Sequence, residues 1–120
     1  MLVLISGPYR SGTGDDPQKM QQNLDNMEAM ALPLFRKGHV PVIGEWFAHP
    51  LLKLAGCQRP GDEIYEEISY PVAHRILQKC DAVLRIAGDS KGADIETEKA
   101  REMGLPIYYR LEDVPDVKVV

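Results

Sequence analysis

Glu96 is the side chain in this sequence best placed to act on a ligand. It lies in Ser90-Lys91-Gly92-Ala93-Asp94-Ile95-Glu96, which reads as a loop turning into a helix. At about 100° per residue it shares a face with Ala93, Ala100 and Met103, the face that such a helix turns toward its core. Asp94, Glu98 and Glu102 fall on the other side. A glutamate is seldom fully buried on such a face without a partner or a task. The plain alternative is a helix ion pair with Lys99 or Lys91, worth only about 0.3–0.5 kcal/mol. Lys99 sits at the margin of the inward arc, so that pair does not account for the aim.

Around this carboxylate stand groups suited to holding a ligand. Ser90 and Gly92 precede or open the helix, where free N–H groups and the positive dipole end attract anions. Gly92 also lets a ligand approach the backbone closely. Near the N-terminus, Ser6-Gly7-Pro8-Tyr9-Arg10, followed by Ser11-Gly12-Thr13-Gly14, is a candidate cradle for a phosphate or a hydroxyl-rich ligand. There Arg10 supplies a forked donor. The glycines match neither a P-loop nor G-x-G-x-x-G. Glu45, Trp46 and Phe47 leave a second strand near the same rim; the aromatic pair suits either base stacking or core packing. His39, His49 and His74 show no metal spacing and read as surface or structural. No metal site or cofactor is expected.

The elements that must position these groups follow from pattern. Leu2 to Ser6 is a continuous apolar run ending in Gly-Pro, a buried strand. Asp16-Pro17 caps a helix whose one face is Met20, Leu24, Met27, Ala31, Leu34 and Phe35; it stops at Gly38, and Pro33 bends its last turn. Val40 to Ile43 is a second strand, and Glu45 to Ala55 a short helix with a break at Pro50. After a loop from Cys57 to Gly61, Asp62 begins a helix running toward Lys79, interrupted at Pro71. Its Asp62, Glu63, Glu66 and Glu67 read as a solvated face. Asp81 to Ala87 is a third strand, Gly92 to Met103 a helix closed by Gly104, and Pro106 to Arg110 a fourth strand. The segment from 111 to 120 is left unassigned, with an edge element as the one candidate.

Alternating strands and helices predict an α/β three-layer sandwich with a four- to five-stranded parallel sheet, flavodoxin- or Rossmann-like, in order 2-1-3-4. Ligands in such folds bind outside the carboxyl ends of strands where the order reverses. That point lies between strands one and three, whose exits are Ser6 to Arg10 and Gly88-Asp89-Ser90-Lys91-Gly92. Glu96 is thereby brought to the mouth of the expected crevice.

The totals bound the partners. A chain of 120 residues, 44% hydrophobic and 27% charged, suits one domain with a core. No apolar run approaches the ~20 residues of a membrane span. Met1 to Gly7 lacks the features of a signal peptide. A net charge of −4 argues against a nucleic-acid polymer as partner. Cys57 and Cys80 have neither metal nor redox spacing and read as reduced, structural residues of a cytoplasmic protein.

Three segments together resemble the nucleoside 2-deoxyribosyltransferase superfamily, nearest its small deoxyribosyltransferase-like members. They are Ile5-Ser6-Gly7-Pro8-Tyr9-Arg10, Cys80-Asp81-Ala82-Val83, and Ser90-x-Gly92-Ala93-x-x-Glu96-x-x-x-Ala100. The resemblance covers nearly the whole chain. It implies that Glu96 is a nucleophile that attacks C1′ of a 2-deoxyribosyl group, after which another base or water takes the sugar. It also implies that Ser90 and Gly92 contact the sugar or a 5′-phosphate, that Gly7 to Arg10 lies against the same ligand, and that copies of the chain assemble as a dimer or tetramer. Two positions depart from the pattern. Leu4 stands where active members carry a tyrosine, and Ala73, beside His74, where they carry an aspartate that assists the departing base. Tyr9, Glu45 and His74 are the candidates to take over that assistance.

Two further readings compete. One is a nucleoside- or nucleotide-binding module that does not cleave, which Leu4 and Ala73 would allow. The other is a ribonucleotide phosphoribohydrolase, whose P-G-G-x-G-T-x-x-E loop ends in the same Gly-x-x-x-Glu; this chain has Gly88-Asp89-Ser90 in place of the paired glycines.

Overall fold

The computed structural model describes residues 1–117. Four strands, β1 (Leu2–Ser6), β2 (Val40–Val42), β3 (Ala82–Arg85) and β4 (Ile107–Tyr108), form one parallel sheet in order β2-β1-β3-β4. Side chains alternate across β1, so Val3 and Ile5 enter one core cluster and Leu4 the other. The first cluster takes Leu24 and Met27 of α1 (Pro17–Glu28) and Leu34 of α2 (Ala31–Arg36). The second takes Leu77 of α4 (Glu63–Leu77) and Ala100 of α5 (Lys91–Glu102). Helix α3 (Gly44–Ala55) packs chiefly on α4. Helices therefore cover both faces, the three-layer α/β sandwich that the element order demands. None of the described helices is long and apolar enough to cross a membrane.

Local chemistry explains most boundaries. The Asp16 carboxylate accepts from the Gln18 N–H, with Pro17 opening α1. Asp62 caps α4 through the Tyr65 N–H, and Ser90 caps α5 through the Ala93 N–H. The Asp81 carboxylate accepts from the Leu2 N–H at 2.7 Å, tying the entrance of β3 to that of β1. Arg85, buried at the end of β3, reaches the carbonyls of Ile86 and Gly88 and the Asp94 carboxylate. It thereby fixes the turn that leads into α5.

Several expectations are corrected. The segment from Pro17 to Arg36 is two helices, because Pro33 has no N–H to give the Ala29 carbonyl and the ladder breaks before Ala31. The restart rotates the second piece: Leu34 is 0% exposed, whereas Phe35, assigned to the inward face, is 63% exposed. Pro50 and Pro71 lie inside continuous helices rather than at breaks. Met103 is the α5 cap and is partly exposed, while Ala93, Glu96 and Ala100 keep the inward face. Past β4 the chain makes a 3-10 turn, Leu111–Asp113, and Val114 closes the first cluster; residues 118–120 of the unassigned segment lie outside the described ones.

Urea unfolding distinguishes the two faces of α2. Leu34→Ala is expected to cost roughly 2–5 kcal/mol, and Phe35→Ala less than about 1 kcal/mol; equal losses would contradict the observed rotation.

Candidate functional site

Where β1 and β3 end side by side, with Ser6 paired to Arg85, the chain leaves toward opposite faces of the sheet. The space between the exits is a cavity of about 130 Å³. Its walls come from the end of β1 and the loop to Arg10, from the start of α3, from one side of α4, and from Ser90 to Glu96. Gly7 permits the convergence: an ideal Cβ there would lie 2.4 Å from the Ile86 side chain. Pro8 packs over Gly88, where a Cβ would meet the ring at 2.7 Å. A shallower cleft of about 290 Å³ adjoins it across a shared wall of Tyr9, His49 and Tyr65.

Glu96 lines the cavity and is only 6% exposed. Its Oε1 lies 2.7 Å from Nδ1 of His74, one side chain along from Ala73 on α4. The approach is not aligned for a hydrogen bond, so Nδ1 has no directed partner, and neither does the buried Oε2. The pair is a close electrostatic contact. Burial pushes the Glu96 carboxyl up to about 7; nearby Lys99 pulls the other way, and Glu45 pushes in the same direction as burial. His74 is pushed down by its own burial and by Lys99. Near neutrality this acid is thus poised between its two forms, as functional carboxyls often are.

A second carboxylate stands in the same cavity. Glu45, at the first turn of α3, is pushed above the ordinary carboxyl range by burial. It lines the cavity and is half-buried. Its charge also raises the phenols of Tyr9 and of Tyr65, the latter to about 12, although burial is the larger cause in both. The Tyr9 and His49 rings meet at 5.2 Å, and burial depresses His49. At the rim, Arg10 grips Asp15 through Nε at 2.6 Å and Nη2 at 3.1 Å. Its guanidinium lies 5.5 Å from the Tyr65 ring centre. The Thr13 hydroxyl donates to the Arg10 carbonyl, and the Asn23 amide to that of Tyr9, so the loop after β1 is knit to itself and to α1.

Of the residues singled out from the sequence, Ser6, Gly7, Tyr9, Arg10, Glu45, Ser90, Gly92 and Glu96 line this cavity together. Pro8 and Asp89 do not; Asp89 is exposed. Nor does Trp46, whose indole N–H donates to the Glu28 carboxylate at 2.7 Å outside the cavity. His74 is absent from the wall yet touches Glu96. His49, read as surface or structural, is a wall residue; only His39 is fully buried, with Nε2 2.7 Å from the Pro115 carbonyl. Tyr65 and Tyr70 were missed, because both occur in a helix that reads as acidic and solvated. Arg85 was missed too, and an arginine closing an apolar strand was the signal available. Leu4 and Ala73 both line the cavity. Among the described residues no three His, Cys, Asp or Glu side chains converge to hold a metal ion.

Compared with protein-family models, curated proteins and solved structures, the chain matches none of them.

The buried acid implies a measurable pH effect. With a folded pKa near 7 against an ordinary 4.5, Glu96 holds a proton in the folded chain that the unfolded chain has released between those values. Its contribution to stability is therefore full below pH 4.5 and is lost as pH rises through about 7. Glu96→Gln, which cannot ionise, should melt several degrees above the parent protein at pH 8 and at about the same temperature at pH 4; a gap that is constant or inverted argues that the carboxyl is not desolvated.

Proposed function

We propose that this protein cleaves or transfers the N-glycosidic bond of 2-deoxynucleosides or their 5′-monophosphates, with Glu96 as nucleophile, on the scaffold of the deoxyribosyltransferase-like proteins it resembles. One observation carries the reading: Glu96 is buried in a cavity at the switch point with one oxygen against His74 and the other without a partner. In the proposed step a Glu96 oxygen bonds to C1′ as the base departs through an oxocarbenium-like transition state, and water or a second base then releases the sugar. Absence of a 2-hydroxyl makes that cation easier to form, so a single well-aimed carboxylate suffices for attack. Glu45 and His74 are the groups available to exchange protons near the reacting centre, a task worth about 10²–10⁴-fold. Tyr9, Tyr65 and Tyr70 offer aromatic surface for the base.

A second reading, a module that binds a nucleoside without cleaving it, is favoured by Leu4 and Ala73 in the cavity wall, where the resemblance calls for a tyrosine and an aspartate. The proposal extends to a cytoplasmic setting, supported by Cys57 and Cys80 being free thiols. It also extends to self-association as a dimer or tetramer. Phe47, Leu51 and Leu54 support that part, recurring at helical spacing on α3 and staying exposed, Leu54 by 83%.

Purified protein incubated with a panel of 2-deoxynucleosides and their monophosphates is expected to release free base, more rapidly as pH rises through about 7, where Glu96 becomes anionic. Glu96→Gln should lower that rate on the order of 10³-fold or more; unchanged turnover in a folded Glu96→Gln protein would falsify the assignment, and tight binding without any product favours the second reading. In light scattering the chain should run as two or more copies and Leu54→Lys as one, whereas a monomeric parent protein rejects assembly.

A further inference from the structure

The cavity walls also specify the charge of the ligand, an inference that rests on the nucleoside reading above. Glu45 and Glu96 line the same cavity. Among the described residues the permanent cation in its wall is Arg10, at the rim, and Asp15 already takes the Nε–Nη2 edge of that guanidinium. Lys99, which acts on Glu96 through space, does not line the cavity. Glu96 is nine-tenths buried and keeps an oxygen with no partner. Two carboxyls thus face one cavity whose wall cation is already engaged with Asp15, and a cationic ligand would favour the ionised form that burial penalises in both. The rest of the lining is rich in π surface, from Tyr9, Tyr65 and Tyr70, and rings of this kind attract cations most strongly where water is excluded. Tyr65 already does so at the rim, with the Arg10 guanidinium over its ring. With no third ligand converging on the two glutamates among the described residues, the complementary cation is organic rather than a metal ion.

We infer that the cavity selects nucleosides whose base carries a positive charge, such as a ring-N-alkylated base. This substrate class also suits the wall residue Ala73. A neutral base leaves as an anion unless an acid protonates it, whereas a cationic base needs no proton. As a Glu96 oxygen bonds to C1′, the electron pair of the C1′–N bond returns to the ring and cancels its charge. The base departs neutral. Water then adds its oxygen to C1′, the glycosyl ester opens to regenerate the Glu96 carboxylate, and the water proton passes to Glu45. General-acid help is dispensable in the first half of this sequence, which is the half that the missing aspartate would have served.

Calorimetry with two isomeric probes tests the inference. 3-Methyl-2′-deoxycytidine is a cation at neutral pH; 5-methyl-2′-deoxycytidine carries the same added methyl and is neutral. The cation is expected to bind at least about tenfold tighter, a preference that should shrink severalfold in Glu45→Gln, whose fold is checked by its melting curve. Equal affinities, preference for the neutral isomer, binding of neither, or a ratio unmoved by Glu45→Gln each overturn it. Assaying the same mixtures for free base separates the two proposals. Cation preference without base release sinks the glycosidic chemistry and leaves the selectivity standing; base release without the preference does the reverse.

Discussion

Keeping a carboxylate out of water is the constraint on which this molecule's site is organised. Glu96 sits where α5 must pack against the sheet, and the neighbours that make room for it are small or polar: Ala93, Ala100, Thr97 and His74. An ionised acid in such a place loses its hydration, and only a partner or a proton can offset that loss. Here both are half supplied. His74 approaches one oxygen without a directed bond, and the carboxyl titrates near neutrality. Such a site is expensive for stability.

The rest of the fold serves to hold that site open and in register. Two parallel strands ending level with each other send their continuations apart, and the gap is kept by specific contacts rather than by bulk. Arg85 props the turn after β3 from below, with its guanidinium spent on two carbonyls and Asp94. Asn23 and Thr13 hold the turn after β1 from the other side. None of these residues faces the cavity, yet each decides where a residue that does will stand.

Much of the architecture was legible because it depends on patterns of period and punctuation. Continuous apolar runs bounded by Gly and Pro marked the strands, and Asp16, Asp62 and Ser90 announced three helix starts by the chemistry of their side chains. The strand order followed from handedness. What pattern could not reveal was the consequence of individual prolines. Pro33 ends a helical ladder and turns Phe35 outward, while Pro50 and Pro71 are absorbed, since surrounding contacts decide which lost hydrogen bond matters. The inward aim of Glu96 was readable from its spacing. The tyrosines of α4 and the nearness of Glu45 were not, because they arise from α3 and α4 packing together across 20 residues of sequence.

The sheet margins carry their own lesson. β4 has two residues, and the opposite margin, β2, has three with Pro41 in the middle. A proline cannot donate to a neighbour, and a two-residue strand offers little to pair with, so both flanks are poor templates for the addition of another chain's strand. Growth by backbone zippering is thereby discouraged at both flanks.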